Sequence, residues 1–361
     1  MSQILEKLFA IIEDCRLNPQ DSSYTNELFA KGEDKIVQKV GEETIEMIIE
    51  AKDENDEFID PYHGITDINN KLLRHVSNAF AEDPVRILRI ARFMARYAHL
   101  GFSVASDTMA LMRNMVVAGE VDALVAERVW QEMEKALSER TPRCFIETLR
   151  ECGALQRIIP ELDCLWGVPQ PEEHHPEIDT GIHTMMVLDQ ACILSPDPQV
   201  RFAALLHDLG KGSTPKDQWP QHIDHEARGA EIVVKVCKRM RVPNDYRGLA
   251  EHTARFHLHY HRALELKPAT VLKILEQLDA FRKAERFEKF LLACEADARG
   301  RPGYENIELP QGDYFRQALN VSKAIDIKEL RELGFENRAL ANKIREERIS
   351  AVKKLQKLPA G

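Results

Sequence analysis

Several absences narrow the field. No apolar run in the 361 residues approaches the ~18 that a membrane-spanning helix needs, so no membrane partner is expected. The seven cysteines, at 15, 144, 152, 164, 192, 237 and 294, include no C-x-x-C pair. That argues against a zinc knot or a disulfide framework and for reduced, buried thiols in a cytoplasmic protein. Positive charge is not in excess: the formal net charge is −10, which excludes a generally basic nucleic-acid binder and leaves room only for a local basic stripe. Alternating strand patterns are nearly missing as well. The opening stretch MSQILEKLFAIIEDC carries acids inside its apolar pattern, so it reads as an amphipathic helix rather than a signal peptide.

What is present reads as helix after helix. The length suggests two or three domains, and the expected fold class is all-α. Asp83-Pro84 looks like a helix start, since Asp caps and Pro fits a first turn. Thr141-Pro142 repeats the device, with Gly153 closing that helix. The charge-rich break KDENDEFIDPYHG suggests a boundary at Asp60, and GVPQPEEHHPEIDTG (Gly167–Gly181) looks like a linker. The expected division is 1–59, 60–170, 171–302 and 303–361.

Of the 13 histidines, 10 lie between His174 and His261. The apolar run VRFAALL ends in His207-Asp208 and then Leu-Gly-Lys-Gly. Burying two such polar groups without partners costs several kcal/mol, roughly 2–7 each, and a shared cation would offset it. Imidazole plus carboxylate suits a divalent transition metal or Mg²⁺. A lone histidine in an apolar helix is most often a satisfied core residue. The ordered set His183, His207, Asp208, Asp297, each on a helical pattern, is more specific, and these four are the candidate ligands. A cation there would lower the pKa of a water toward ~7 and supply hydroxide for attack on a phosphorus ester. Lys211 or His225 is the candidate for stabilising phosphoryl oxygens, and His225 and His257 are candidates for ligand or phosphate contact. His259 and His261 are weaker candidates. His174, His175, His222 and His252 are expected at the surface or in loops.

The same words carry a family resemblance. EDPVRILRIARFMARYAHLGF, ERVWQEMEKAL, HPEIDTGIHTMMVL, LLHDLGKGSTP and EADARGRPGYE stand in order over roughly three quarters of the chain. From Glu82 to about Leu358 the chain resembles the body and tail of a bacterial multifunctional CCA-adding tRNA nucleotidyltransferase that carries an HD phosphohydrolase domain. The resemblance implies metal-dependent 2′,3′-cyclic phosphodiesterase, 2′-nucleotidase and phosphatase activity with Ni²⁺, Mn²⁺ or Mg²⁺, and a tRNA 3′ end as partner. Leu258 and His259 stand where an acidic residue is expected beside the first histidine, a departure from the pattern.

Arg86, Arg89, Arg92 and Arg96 fall on one face of a helix. By pattern alone such a stripe is a solvated face or a row of partners for carboxylates on a neighbouring helix. The preceding Glu82-Asp83 adds acceptors that complement the donors, a combination able to read the pairing edge of a base. In the CCA-adding family this E-D-x-x-R element is the amino-acid template for the incoming nucleotide. The resemblance implies that role for Glu82, Asp83 and Arg86, with Arg89 on the nucleotide.

Nucleotidyl transfer also needs paired metal-binding carboxylates and a glycine-rich phosphate turn. The G-G-x-x-R-D turn and paired-Asp strand of the family are not found ahead of Glu82. Transferase activity, and more than weak CTP or ATP binding, are therefore not expected. In their place NPQDSSYTNELFAKGEDKIVQKVGEETIEMIIEAK resembles the first half of phosphoribosyl-ATP pyrophosphohydrolase, an enzyme of histidine biosynthesis. That resemblance implies Mg²⁺ contacts for Glu42, Glu43, Glu46 and Glu50 and phosphate contacts for Lys31, Gly32 and Lys35. It stops near Phe58-Ile59, before the family's second acidic pair, so little activity is expected of it. The chain reads as a join between two partial proteins near Asp60.

Overall fold

The computed structural model describes residues 60–173 and 176–355. The chain divides into two compact units, Met1–Asn69 and Asn70–Gly361. In the described end of the first unit, Asp60 opens the short helix α1 (Gly64–Asn69), its carboxylate accepting from the Gly64 and Ile65 amides at 2.6 and 2.9 Å. In the second unit the larger hydrophobic core runs from Phe80 to Val352, and a smaller cluster joins Val187, Ala191, Ala204 and Ala296.

Among the described residues the second unit is helical except for one minimal parallel pair. In it β1 (Leu72–Leu73) faces β2 (Ser103–Val104) in register Leu72 to Ser103. Helix α2 (Val85–Tyr97) connects them. Its start is the one the sequence marks: the Val85 amide donates to Asp83 Oδ1 at 3.0 Å, and Pro84 sits at φ −63°. After α3 (Ser106–Val117), helices α4 (Ala126–Ser138) and α5 (Arg143–Glu151) cover the buried face of α2, which includes Ile87, Leu88, Ala91 and Ala95. Gly153, at φ +84°, ends that layer where a side chain would be strained. Two short helices follow, α6 (Ala154–Ile158) and α7 (Pro160–Asp163).

The second half is wound around one helix. After α8 (Thr180–Leu194), Asp197 caps α9 (Pro198–Leu206) by accepting from the Gln199 amide at 2.8 Å. Every residue of α9 from Val200 to Leu206 is buried. A helix buried on all sides has no solvent face, so it must be surrounded. The surrounding helices are α4, α8, α11 (Asn244–His261) and α13 (Ala284–Arg299), while α10 (His225–Arg239) packs along α11. Trp130, Phe202 and Tyr246 meet edge to face, with centroids 4.9 to 5.9 Å apart, and lock α4, α9 and α11 together. The buried Arg201 guanidinium donates to the carbonyls of Leu137, Glu139 and Ser195 at 2.7 to 3.0 Å, satisfying helix ends that would otherwise be orphaned. Helices α12 (Pro268–Gln277), α14 (Pro310–Lys323), α15 (Ile327–Glu332) and α16 (Asn337–Leu355) complete the unit. No helix among the described residues is long and apolar enough to cross a membrane.

The loop leaving α9 lies directly on the first turns of α10. A Cβ on Gly210 would stand 1.9 Å from the His225 carbonyl oxygen and 2.7 Å from the Gly229 amide nitrogen. Both are backbone atoms inside a helix and cannot step aside. Gly210→Ala is expected to destabilise the protein by roughly 3 kcal/mol or more, through forced overpacking. Urea unfolding measures this, and a change under about 0.5 kcal/mol would show that the loop is free to move.

Candidate metal centre

His207 and Asp208 stand at the C-terminal end of α9, where helix carbonyls leave a negative potential that favours a cation. His183 comes from the first turn of α8, His225 from the first residue of α10, His257 and His261 from the last turns of α11, and Asp297 from the end of α13. All but His261 are buried.

Backbone carbonyls hold the imidazoles in one tautomer. The Nδ1 atoms of His183, His207, His225 and His257 lie 3.1, 2.7, 2.8 and 3.0 Å from the carbonyls of Gly300, Ala204, His222 and Ala254. A carbonyl oxygen only accepts, so each Nδ1 carries a proton and each ring turns its Nε2 inward. For metal-binding histidines this outer hydrogen bond is the usual orienting device.

The inward atoms converge on the two carboxylates. His183 Nε2 is 3.1 Å from Asp297 Oδ1, and His207 Nε2 is 3.2 Å from Asp208 Oδ2 and 3.4 Å from Asp297 Oδ1. On the other side of Asp208, Oδ1 is 3.4 Å from His225 Nε2 and 3.5 Å from His257 Nε2. Those two nitrogens are themselves 3.3 Å apart. The donor atoms thus form two groups that share Asp208, His183–His207–Asp208 and Asp208–His225–His257. Asp297 Oδ2 faces away from both, 2.7 Å from His261 Nε2.

This arrangement fits a divalent cation. The His207 Nε2 and Asp208 Oδ1 are buried without a hydrogen-bond partner, a costly state unless another group binds them, while Asp208 Oδ2 meets Lys211 Nζ at 2.6 Å. The electrostatics ask for positive charge. Burial opposes a charged His207, yet Asp208 and Asp297 outweigh it and lift the imidazole to about 10. Burial works to raise Asp208 and Asp297, but the neighbouring cationic groups, His207 first, hold both well below the usual carboxylate range. His257 is pushed down by burial and favours its neutral, ligating form.

The rim joins Lys211 and His261, candidates from the sequence, to residues that sequence reasoning missed. Glu177 Oε1 lies 2.9 Å from His183 Nδ1 and shares the tethering role with Gly300. Lys211, 7% exposed, places Nζ 2.6 Å from Asp208 Oδ2 and 2.5 Å from Gln170 Oε1. His222, expected at the surface or in a loop, is 2% exposed and holds the Pro169 carbonyl with Nε2 at 2.8 Å. His252 and His259 are half-buried on α11. The one signal for His261 was its spacing of four from His257, which puts both on one face of α11. Nothing in the local sequence marks Glu177 or Gln170.

The arginine stripe divides. Arg92 is 3% exposed and donates from Nε to Glu132 Oε2 at 2.7 Å, while Arg96 donates to Glu139 at 2.9 Å, so both serve α2–α4 packing. Arg86 and Arg89 instead line a cleft of about 340 Å³ with Arg74, His75, Phe80 and Phe93. Arg86 also donates to the Ala79 carbonyl. Asp83 is tied to its own helix start and to Arg128 at 3.1 Å, and Glu82 is exposed. The N-terminal candidates Lys31, Gly32, Lys35, Glu42, Glu43, Glu46 and Glu50, and also His174 and His175, lie outside the described residues.

Comparison with known proteins sets this geometry in context. Residues 180–284 match the HD domain family, and residues 101–165 match the family described as "Probable RNA and SrmB- binding site of polymerase A". Asp297 lies beyond the first match. A multifunctional CCA protein of Thioalkalivibrio sulfidiphilus is 59% identical over 306 residues, covering 85% of this chain and 75% of that protein. One from Teredinibacter turnerae is 58% identical over 278 residues, covering 77% and 68%. Among solved structures, a CCA-adding enzyme with CTP has a TM-score of 0.53 at 17% identity, covering 85% of this chain and 65% of that one. A Thermotoga maritima CCA-adding enzyme complexed with tRNA has a TM-score of 0.53 at 16% identity, covering 86% and 66%. The chain therefore spans about two thirds of the length of those structures, and the likeness to them is one of fold.

The two halves of the arginine stripe are separable by stability. Arg92→Ala takes from the buried Glu132 its closest partner, leaving only Lys135 at 3.4 Å, and is expected to cost about 3 kcal/mol. Arg89→Ala is expected to stay within about 0.5 kcal/mol. Denaturant titration of the two variants checks this, and equal small effects would contradict the buried pair.

Proposed function

The chain belongs to the multifunctional CCA protein family, and from that premise we propose that its HD domain hydrolyses 2′,3′-cyclic phosphates, 2′-phosphates and related esters at a tRNA 3′ end. The observation that carries this reading is the inward convergence of four imidazole Nε2 atoms on Asp208 and Asp297, with every Nδ1 tied to a carbonyl. His183, His207, Asp208 and Asp297 would hold one divalent cation, Ni²⁺, Mn²⁺ or Mg²⁺, and Asp208 with His225 and His257 offers a second position. When bound, a divalent cation polarises a phosphoryl oxygen and lowers the pKa of water toward ~7.

The chain's own residues supply orientation and charge. The carbonyl tethers fix the imidazoles before any ligand arrives, so little order is lost on binding. Lys211, already beside Asp208, is placed to neutralise a phosphoryl oxygen. His225 is assigned to the second cation position or, where one ion suffices, to the phosphoryl oxygen.

A second reading, nucleotide addition, is favoured by one observation: the cleft lined by Arg86 and Arg89. CTP or ATP would enter there, with Glu82 and Asp83 as the acceptors of the template. It is a distinct site on a distinct layer of helices, so loss of either activity leaves the other measurable. The N-terminal pyrophosphohydrolase reading rests on the sequence alone.

Protein loaded with Ni²⁺, Mn²⁺ or Mg²⁺ is expected to hydrolyse 2′,3′-cyclic AMP. Asp208→Ala should abolish both turnover and metal content, the latter read by mass spectrometry of the desalted protein. Turnover that persists in Asp208→Ala would sink the proposed site.

A further inference from the structure

The segment Gly167–Gly181 reads as a linker in the sequence and lies outside the residues that match the HD domain, save for its last two. The structure makes part of it a strap across the metal centre. Pro169 and Asp179 form an antiparallel bridge. The Gln170 amide donates to the Ile178 carbonyl at 2.7 Å, and the Val168 carbonyl accepts from the Thr180 amide and hydroxyl at 3.0 and 2.9 Å. Asp179 accepts from the Gly167 amide at 2.6 Å and caps α8 by accepting from Ile182 at 3.0 Å. His222 grips the Pro169 carbonyl from the opposite side. The strap is therefore fixed to the helix that carries His183 and to the turn that precedes His225.

In addition to Glu177, which tethers His183, the strap turns Gln170, 2% exposed, toward Lys211. Oε1 accepts from Lys211 Nζ at 2.5 Å, and that same Nζ lies 2.6 Å from Asp208 Oδ2. Because Lys211 can only donate, the amide orientation is settled: oxygen toward the lysine, nitrogen on the other edge. That nitrogen, Nε2, is buried and has no acceptor, and His222 Nδ1 is likewise buried without a partner. A buried amide donor left unpaired is destabilising, and it stands one ammonium group away from the carboxylate that both candidate cation positions share.

We propose that Gln170 is a phosphoryl-binding residue: its side-chain Nε2 donates to a non-bridging oxygen of the phosphate group, next to the charge of Lys211. The inference rests on the phosphohydrolase reading of the same centre. It assigns two jobs to one amide, Oε1 holding Lys211 and Nε2 contacting the ligand. The strap around it is tied down on both sides, so the donor is positioned before the phosphate arrives.

The test uses the full-length, metal-loaded protein and inorganic phosphate as probe, titrated calorimetrically, with metal content measured on the same samples. Gln170→Glu keeps an acceptor for Lys211 and removes the donor. Gln170→Met removes both without adding charge. Metal content is expected to stay at the wild-type level in each, while phosphate affinity falls about tenfold, the loss of one hydrogen bond to a charged group. A fall of less than threefold in either variant overturns the assignment. Loss of metal content in the variants also overturns it, because Gln170 would then act only by supporting Asp208 through Lys211. If the wild-type protein itself takes up no metal, the phosphohydrolase reading fails and this inference fails with it. Intact metal loading with unchanged phosphate affinity removes the inference alone.

Discussion

Two carboxylates inside a helical core set the terms for the rest of this molecule. Asp208 and Asp297 are 1% and 4% exposed, and the imidazoles around them turn their Nε2 atoms toward the same space. Such a collection repels itself unless positive charge enters it. His207 is accordingly driven toward its protonated form, and Lys211 is drawn into the interior. A divalent cation meets the same demand while leaving every ring neutral. The carbonyl tethers, the contact at Gly210 and the enclosed helix α9 hold these groups against their mutual repulsion.

The two layers of helices handle buried charge differently. In the α2–α4 layer, Arg92 is compensated by Glu132 at 2.7 Å and needs nothing from outside. Arg201 is compensated by three carbonyls. At the C-terminal end of α9, by contrast, the compensation among protein atoms is incomplete, since His207 Nε2 and Asp208 Oδ1 lack hydrogen-bond partners. The difference separates a structural ion pair from a candidate binding centre, and it is visible only once partners are counted. The four stripe arginines show how easily the two are confused: one helical face carries two packing residues and two that line a cleft.

Much of the centre was legible before any coordinates. His183, His207, Asp208 and Asp297 stood out because polar ligand types interrupt apolar helical patterns at which a satisfied surface role is implausible. The all-α class and the start of α2 at Asp83-Pro84 followed from capping chemistry that is local in sequence. His257 and His261 were half legible: the spacing of four was plain, but which face of α11 turns inward was not. Glu177, Gln170 and the burial of His222 were not legible at all. Their partners lie 6, 41 and 53 positions away, across a strap whose proline-rich composition resembles a linker.

The chain's order of residues determined by itself which side chains could serve as ligands, that their helices form, and to which family the chain belongs, because capping, apolar periodicity and motif spacing act over a few residues. The tertiary structure alone decided that Asp208 faces two groups of donors, that a proline-rich segment closes over Lys211, and that the arginine stripe divides between packing and a cleft. Those outcomes depend on how separate helices approach and rotate against one another. That is a property of side-chain packing across the whole core, and no local pattern encodes it.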